Sequence, residues 1–244
     1  MERRRLRRRI VLAALALVLA PPGLFLAYVA WTSNFGTIVP RRAFRSAQMT
    51  SADLSRTLKT YQIKTVLNLR GPNPDERWYR AEREATTRGG ATQVDISLSS
   101  TEWMSRAQLH TLIRVFDTCE YPLLIHCEHG SERTGLASAF WEFLRPGATL
   151  RDAEQQFSIR HLFLRRGGKM MAEHVDQYEA WLRTHGWGHS PARFRQWADE
   201  GFTPRWPTRE MWPYDPKPLL VVTRPVGAEQ VLPIAGAEPG STRR

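Results

Sequence analysis

"LLIHCEHGSERTGLASAFWEFL", residues 123 to 144, decides how the chain is read. Leu123 to His126 is a short apolar run of the kind that forms a buried strand, and Thr134 onward has helical character. Between them runs the loop "CEHGSER", Cys127 to Arg133. A loop that passes from a buried strand into a helix N-terminus is a natural anion site, because backbone N–H groups converge there and the helix dipole favours negative charge. Gly130 lets the chain curl tightly, so the amides of Glu128, His129, Gly130, Ser131, Glu132 and Arg133 can line one bowl. Arg133 adds a planar fork that matches two phosphate oxygens.

Cys127 lies at the base of that bowl. Aligned amides, Arg133 and the dipole all favour a thiolate, which lowers a thiol's pKa below its free value. A thiolate can displace an alcohol or phenol from a phosphate ester and carry the phosphoryl group until water removes it. His126 is placed to orient the loop from behind through a backbone carbonyl, and the Thr134 hydroxyl to bond the sulfur. Two other readings compete. One is an inert buried cysteine. The other is a zinc site from Cys119, Cys127, His126 and His129, whose spacing does not match common ligand patterns.

Working outward, strands and helices alternate. "TIVP" and "AFRSAQ" read as short strands, "TSADLSRTLKTY" as a helix begun at Thr50 or Ser51, and "KTVLNLR" as a buried strand. "DERWYRAEREATTRGG" is a polar helix with Gly89 and Gly90 at its end, "TQVDISL" a strand, and "SRAQLHTLIRVFDTC" a helix with Leu109, Leu112, Ile113 and Phe116 on one face. "TLRDAEQQF", "KMMAEHVDQYEAWLRTH" and "PARFRQWADE" predict three further helices. Such alternation implies an α/β fold, a mostly parallel central sheet flanked by helices on both faces. Residues 203–244 are proline-rich and aperiodic, which predicts extended or unstructured chain, pinned in part by Trp206 and Trp212.

"HCEHGSERTG" resembles the signature loop of cysteine-based protein tyrosine phosphatases, in particular the compact dual-specificity type. "FRSAQ", a helix, then "IKTVLNLRG" is similar to the opening of atypical bacterial and fungal members. The resemblance runs from about Thr37 to Leu182. It implies a Cys127 nucleophile, a phosphate-binding Arg133, a general acid on an upstream loop, and neither metal nor other cofactor. For the acid, Glu102 in "SLSSTEW" is preferred, because a proton donor must reach the leaving oxygen. Asp95 is the alternative, embedded mid-strand. Glu128 and Glu132 stand where lipid-phosphatase relatives often carry lysine, which favours a singly phosphorylated group. Arg41, Arg42, Arg165, Arg166 and Lys169 are candidates for a basic surface elsewhere. A rhodanese-like sulfur carrier and a phospho-group binder with weak catalysis are the competing functions.

The net charge of +11 invites a nucleic-acid partner. Its distribution argues against one. Six arginines crowd into residues 3–9, and Ile10 to Trp31 then carries no charge over 22 residues. As a helix that stretch reaches roughly 33 Å, enough to cross a bilayer core. It predicts a single-pass anchor in the cytoplasmic membrane with residues 1–9 inside and the rest outside, periplasmic in a Gram-negative cell. Pro21, Pro22 and Gly23 predict a kink in the span. A cleaved signal peptide is the alternative, disfavoured by Pro21 just after "VLA". The chain then divides into residues 1–9, the anchor 10–31, a catalytic domain 32–202 and the tail 203–244. Its partners are the membrane and a phosphorylated substrate, with phosphotyrosine, phosphoserine, a phospholipid headgroup and a cell-envelope phosphate all open. Only Cys119 and Cys127 are available for a disulfide, and the strand between them predicts two free thiols, Cys119 buried in the core.

Overall fold

Three strands are buried at every position: β2 (Ala43–Ser46), β3 (Thr65–Asn68) and β5 (Leu123–His126). Strands buried on both faces sit at the centre of a sheet that is covered on both sides. The computed structural model, which describes residues 2–163, 169–205 and 218–225, shows that sheet. With β1 (Gly36–Val39), β4 (Thr92–Ile96) and β6 (Leu220–Thr223), its order is β1-β2-β5-β3-β4-β6. The four central strands run parallel, and β1 and β6 are antiparallel at the edges.

The period of two along each strand divides the core. Phe44, Val66 and Leu124 face α2 (Ser51–Tyr61) and α3 (Arg77–Arg88), where Leu54, Leu58 and Ala85 cover them. Ala43, Leu67, Leu123 and Ile125 face the other way. Four helices cover that side: α4 (Arg106–Thr118), α5 (Glu132–Leu144), α7 (Lys169–His185) and α8 (Pro191–Gln196). Leu109, Leu112, Ile113 and Phe116 of α4 all enter this core, as their spacing predicts. The short α6 (Leu150–Glu154) packs on α5. Helix starts follow local chemistry. Thr50 caps α2 by accepting from the Asp53 N–H, and Ser105 and Gln108 form a reciprocal capping box on α4.

Four points depart from or extend the sequence reading. The helix after the loop begins at Glu132, so Glu132 and Arg133 belong to its first turn rather than to the loop. The N-terminal helix α1 (Glu2–Trp31) is continuous through Pro21 and Pro22. The proline-rich tail contributes β6, which pairs with β4 and covers what would be a bare strand edge. Cys119, at the C-terminus of α4, is half-buried at the margin of the core rather than inside it, and both cysteines are free thiols. Arg165, Arg166, Trp206 and Trp212 lie outside the described residues.

Candidate active site

Cys127 follows β5 directly, at the carboxyl end of the parallel strands, and α5 begins five residues later. The carbonyls of the intervening chain all have partners. His126 O accepts from the Leu69 N–H at 2.9 Å, and the His126 ring Nδ1 lies 3.3 Å from Cys127 O. Glu128 O accepts from the Gln48 N–H at 3.0 Å, and His129 O from the Asn34 side-chain amide at 2.9 Å. Gly130 O accepts from the Arg45 guanidinium at 2.8 Å, and Ser131 O from the Gly135 N–H at 2.8 Å. In a trans peptide unit the C=O and N–H point in opposite directions. Tying the carbonyls to these partners therefore turns the following N–H groups to the opposite side of the chain.

Gly130 makes this curl possible. Its φ is +68°, and a Cβ there would stand 2.6 Å from the Ala47 nitrogen and the Ser46 carbonyl carbon. Only glycine fits so close an approach in that conformation. Ser131 makes no side-chain cap to α5.

Burial alone would push the Cys127 thiol up. The charge of Arg133, the Thr134 hydroxyl and the N–H groups of Thr134 and Gly130 outweigh it, and the thiol sits below its ordinary value. Thr134 Oγ1 is buried and has no nitrogen or oxygen partner, so the sulfur is its natural acceptor. His126 is buried against the Glu82 carboxylate at 3.2 Å. Burial disfavours its charge, yet Glu82, reinforced by the Cys127 carbonyl and thiolate, holds its pKa above the usual imidazole range. His126 thus lies between the Cys127 carbonyl and the Glu82 carboxylate.

Arg45 was not singled out by the sequence, although it lies within "FRSAQ". It is fully buried beneath the loop and donates to Gln156 O at 2.7 Å, to Gln156 Oε1 at 3.0 Å and to Gly130 O. Burial lowers its pKa to about 9, and the nearby Cys127 thiolate opposes that shift. Asn34, Gln48 and Glu82 were missed in the same way. Each is an ordinary polar residue whose role depends on reaching a loop far along the chain.

The two candidate acids part company. Asp95 is fully buried in β4 and accepts from the Tyr79 hydroxyl at 2.6 Å, Asn68 at 2.8 Å and Gln93 at 3.0 Å. Burial is the main cause of its raised pKa, and those hydrogen bonds oppose it. It is a bonded carboxylate inside the α3 side of the sheet. Glu102 lies on the loop between β4 and α4, half-buried, and lines a small cleft with Leu98, Ser99, Met104, Leu136 and Met171. Arg133 donates to Leu98 O at 3.3 Å, so the loop that carries Glu102 and the first turn of α5 are in contact. That loop is anchored by His174 of α7, whose Nε2 accepts from the Met104 N–H at 3.2 Å while Nδ1 donates to Met170 O at 2.9 Å. Trp103 stacks on the same ring at 3.9 Å.

At the rim, Glu128 lies 4.0 Å from Arg133 and 3.9 Å from Arg70. The Arg70 guanidinium itself lies over the Trp78 ring at 3.6 Å. Of the predicted basic surface, Arg41 is exposed, and Arg42 stacks on Tyr121 at 4.5 Å, away from the loop.

The family model described as DSP-PTPase phosphatase fused to NAD+ kinase matches residues 39–177, more than half of the chain. No curated protein matches. Among solved structures, TpbA of P. aeruginosa in complex with pTyr is 18% identical, with 70% of this chain and 93% of that one covered and a TM-score of 0.48. The catalytic core of the PP-IP phosphatase Siw14 of S. cerevisiae, in complex with citrate, is 19% identical, covering 63% and 93% at a TM-score of 0.48. A phosphatase from Neisseria meningitidis is 17% identical, covering 56% and 95% at 0.43.

Proposed function

We propose that this chain, which belongs to the dual-specificity-like tyrosine phosphatase family, hydrolyses phosphate monoesters through a cysteinyl-phosphate intermediate while anchored in a membrane by its N-terminal helix. The observation that carries the reading is the loop whose carbonyls, from His126 to Ser131, are all tied outward around a thiol held below its ordinary value.

The inward N–H groups of the loop and the Arg133 fork hold the phosphate oxygens, with Arg133 exchanging its bond to Leu98 O for the ligand. The Cys127 thiolate attacks phosphorus in line with the ester oxygen. The S–P bond forms as the P–O bond breaks, and Glu102 gives its proton to the departing oxygen. Glu102, now a carboxylate, takes a proton from water, which attacks phosphorus. The S–P bond breaks, inorganic phosphate leaves, and Thr134 steadies the returning thiolate. The protein's own charges and hydrogen bonds generate this nucleophile, so the reaction is expected to proceed without metal.

The anchor is the uncharged stretch Ile10–Trp31 of the apolar helix, with the arginines of residues 3–9 holding the N-terminus on the cytoplasmic side. The catalytic domain then lies outside the cytoplasm.

The test uses the full chain in detergent with an aryl phosphate. Turnover should survive a chelator and stop with vanadate. Cys127→Ser should bind vanadate without turnover, and Arg133→Lys should fail badly because a point charge cannot replace the fork. Full turnover by Cys127→Ser, or loss of turnover on chelation, would overturn the mechanism. Wild-type protein that binds vanadate but turns over no ester would instead be a phospho-group binder.

A further inference from the structure

The N-terminal helix joins the catalytic domain with almost no spacer. Only residues 32–35 separate α1 from β1. Val29, in the last turn of α1, is 5% exposed, whereas the other described side chains of that helix are exposed apart from the half-buried Phe25. Ser33 and Asn34 both take positive φ, 51° each, and turn the chain back sharply. The Asn34 N–H bonds Val29 O at 2.8 Å. Its side-chain amide donates to His129 O of the phosphate loop, at 2.9 Å, and to His161 O, at 3.2 Å. One residue therefore ties together the exit of the helix, the anion bowl and the turn Ile159–His161.

That turn presents an apolar side chain to the outside. Ile159 is 71% exposed, Arg160 beside it is exposed, and Trp31 at the helix end is 84% exposed. Tryptophan at a span's end, and an isoleucine flanked by arginine, suit the boundary between acyl chains and anionic headgroups. The apolar stretch of roughly 33 Å reaches that boundary. From Trp31, three residues can carry the chain at most about 11 Å to Asn34. The bowl is thus held beside the headgroup layer by a tether without slack.

Resting on the reading of an anchored phosphatase, we infer that the substrate is a lipid phosphomonoester presented in the plane of the bilayer, met by a bowl held at the headgroups through Asn34. The acidic rim residues Glu128 and Glu132 fit a single phosphate better than a polyanionic headgroup. The products are inorganic phosphate and a lipid alcohol that stays in the membrane.

The test reconstitutes the full chain in phosphatidylcholine vesicles containing phosphatidic acid. Three parallel assays supply a water-soluble glycerol phosphate, a phosphotyrosyl peptide and an aryl phosphate. Flotation with the vesicles and aryl phosphate turnover report the underlying reading. The inference expects phosphatidic acid to be hydrolysed at a kcat/KM well above that for glycerol phosphate or the peptide. Ile159→Glu should lower lipid hydrolysis about tenfold, as withdrawal of an isoleucine from an apolar layer predicts, and leave aryl phosphate turnover unchanged. Vesicle-bound, aryl-active protein that leaves phosphatidic acid intact, or prefers the peptide, would overturn the inference and spare the reading. Equal losses on both substrates in Ile159→Glu would overturn it as well. Protein that fails to float, or lacks aryl phosphate turnover, would overturn both.

Discussion

The guanidinium of Arg45, buried beneath the phosphate loop, donates to the carbonyl oxygen of Gly130 at 2.8 Å. This bond fixes one wall of the bowl and brings a positive charge within reach of the Cys127 thiolate. A buried cation is costly to desolvate, and Gln156 offsets part of that cost with two acceptors. Arg45 holds the loop in shape from beneath, through Gly130 O on one side and Gln156 on the other.

Replacing Arg45 with Met should lower kcat/KM by about 10²-fold, the effect of a small misplacement of binding groups. It should also raise the pH midpoint for alkylation of Cys127, because one of the charges favouring the thiolate is gone. Arg45→Lys should restore part of that midpoint and less of the rate, since one ammonium cannot serve both Gln156 and Gly130. An unchanged midpoint in Arg45→Met would show that the charge does not act on the sulfur.

The two carboxylates should separate by kinetics. Glu102→Gln should slow esters of poor leaving groups by about 10²-fold or more and aryl phosphates with good leaving groups much less. Asp95→Asn puts an amide where three donors converge, so it should cost about 1–3 kcal/mol of stability without changing the leaving-group dependence. Should Asp95→Asn alter that dependence while Glu102→Gln does not, the assignment is reversed.

The two thiols should differ sharply in reactivity. Burial pushes Cys119 up to about 11, whereas Arg133 and the loop hold Cys127 down. At neutral pH iodoacetamide should label Cys127 alone, and loss of activity should track that label. Cys119→Ala should inactivate at the wild-type rate. Label found on Cys119 first, by peptide mass, would contradict the difference.

His174 makes the fold sensitive to acid. Burial lowers its pKa to about 4 from an ordinary 6.5, so the unfolded chain binds the proton more readily than the folded one. Its contribution is therefore complete above pH 6.5 and is lost as the pH falls toward 4. The loss approaches about 3 kcal/mol. His161, buried and lowered to about 3, adds in the same direction, while His126, raised by Glu82, acts in the opposite one. Protonation also removes the acceptor for the Met104 N–H, which releases the loop bearing Glu102. Thermal unfolding at neutral and mildly acid pH should show a smaller drop in His174→Gln than in the wild type. An equal drop in both would place the acid sensitivity elsewhere.

What the sequence by itself determined is what short-range chemistry dictates. A strand, a cysteine, a glycine needing positive φ and a helix N-terminus follow one another within a few residues, so Cys127, Gly130 and Arg133 could be read together and the family recognised. The strand–helix alternation determined the parallel sheet for the same reason, since each element's period is local. What only the tertiary structure decided is which groups hold the loop in shape. Arg45 and Asn34 lie 85 and 95 positions from the carbonyls they bind, and the registers of β2, β3 and β5 bring the chain around them to the loop. Asp95 lay close to Glu102 in the sequence, yet its strand register placed it among Tyr79, Asn68 and Gln93, while Glu102 was left on the loop whose Leu98 carbonyl Arg133 binds. The tail reads in sequence as aperiodic, extended or unstructured chain, yet Leu220–Thr223 became β6 because the edge of β4 offered unpaired backbone groups. Hydrogen bonds between distant residues leave no period in a sequence; they exist only once the sheet has set the distances.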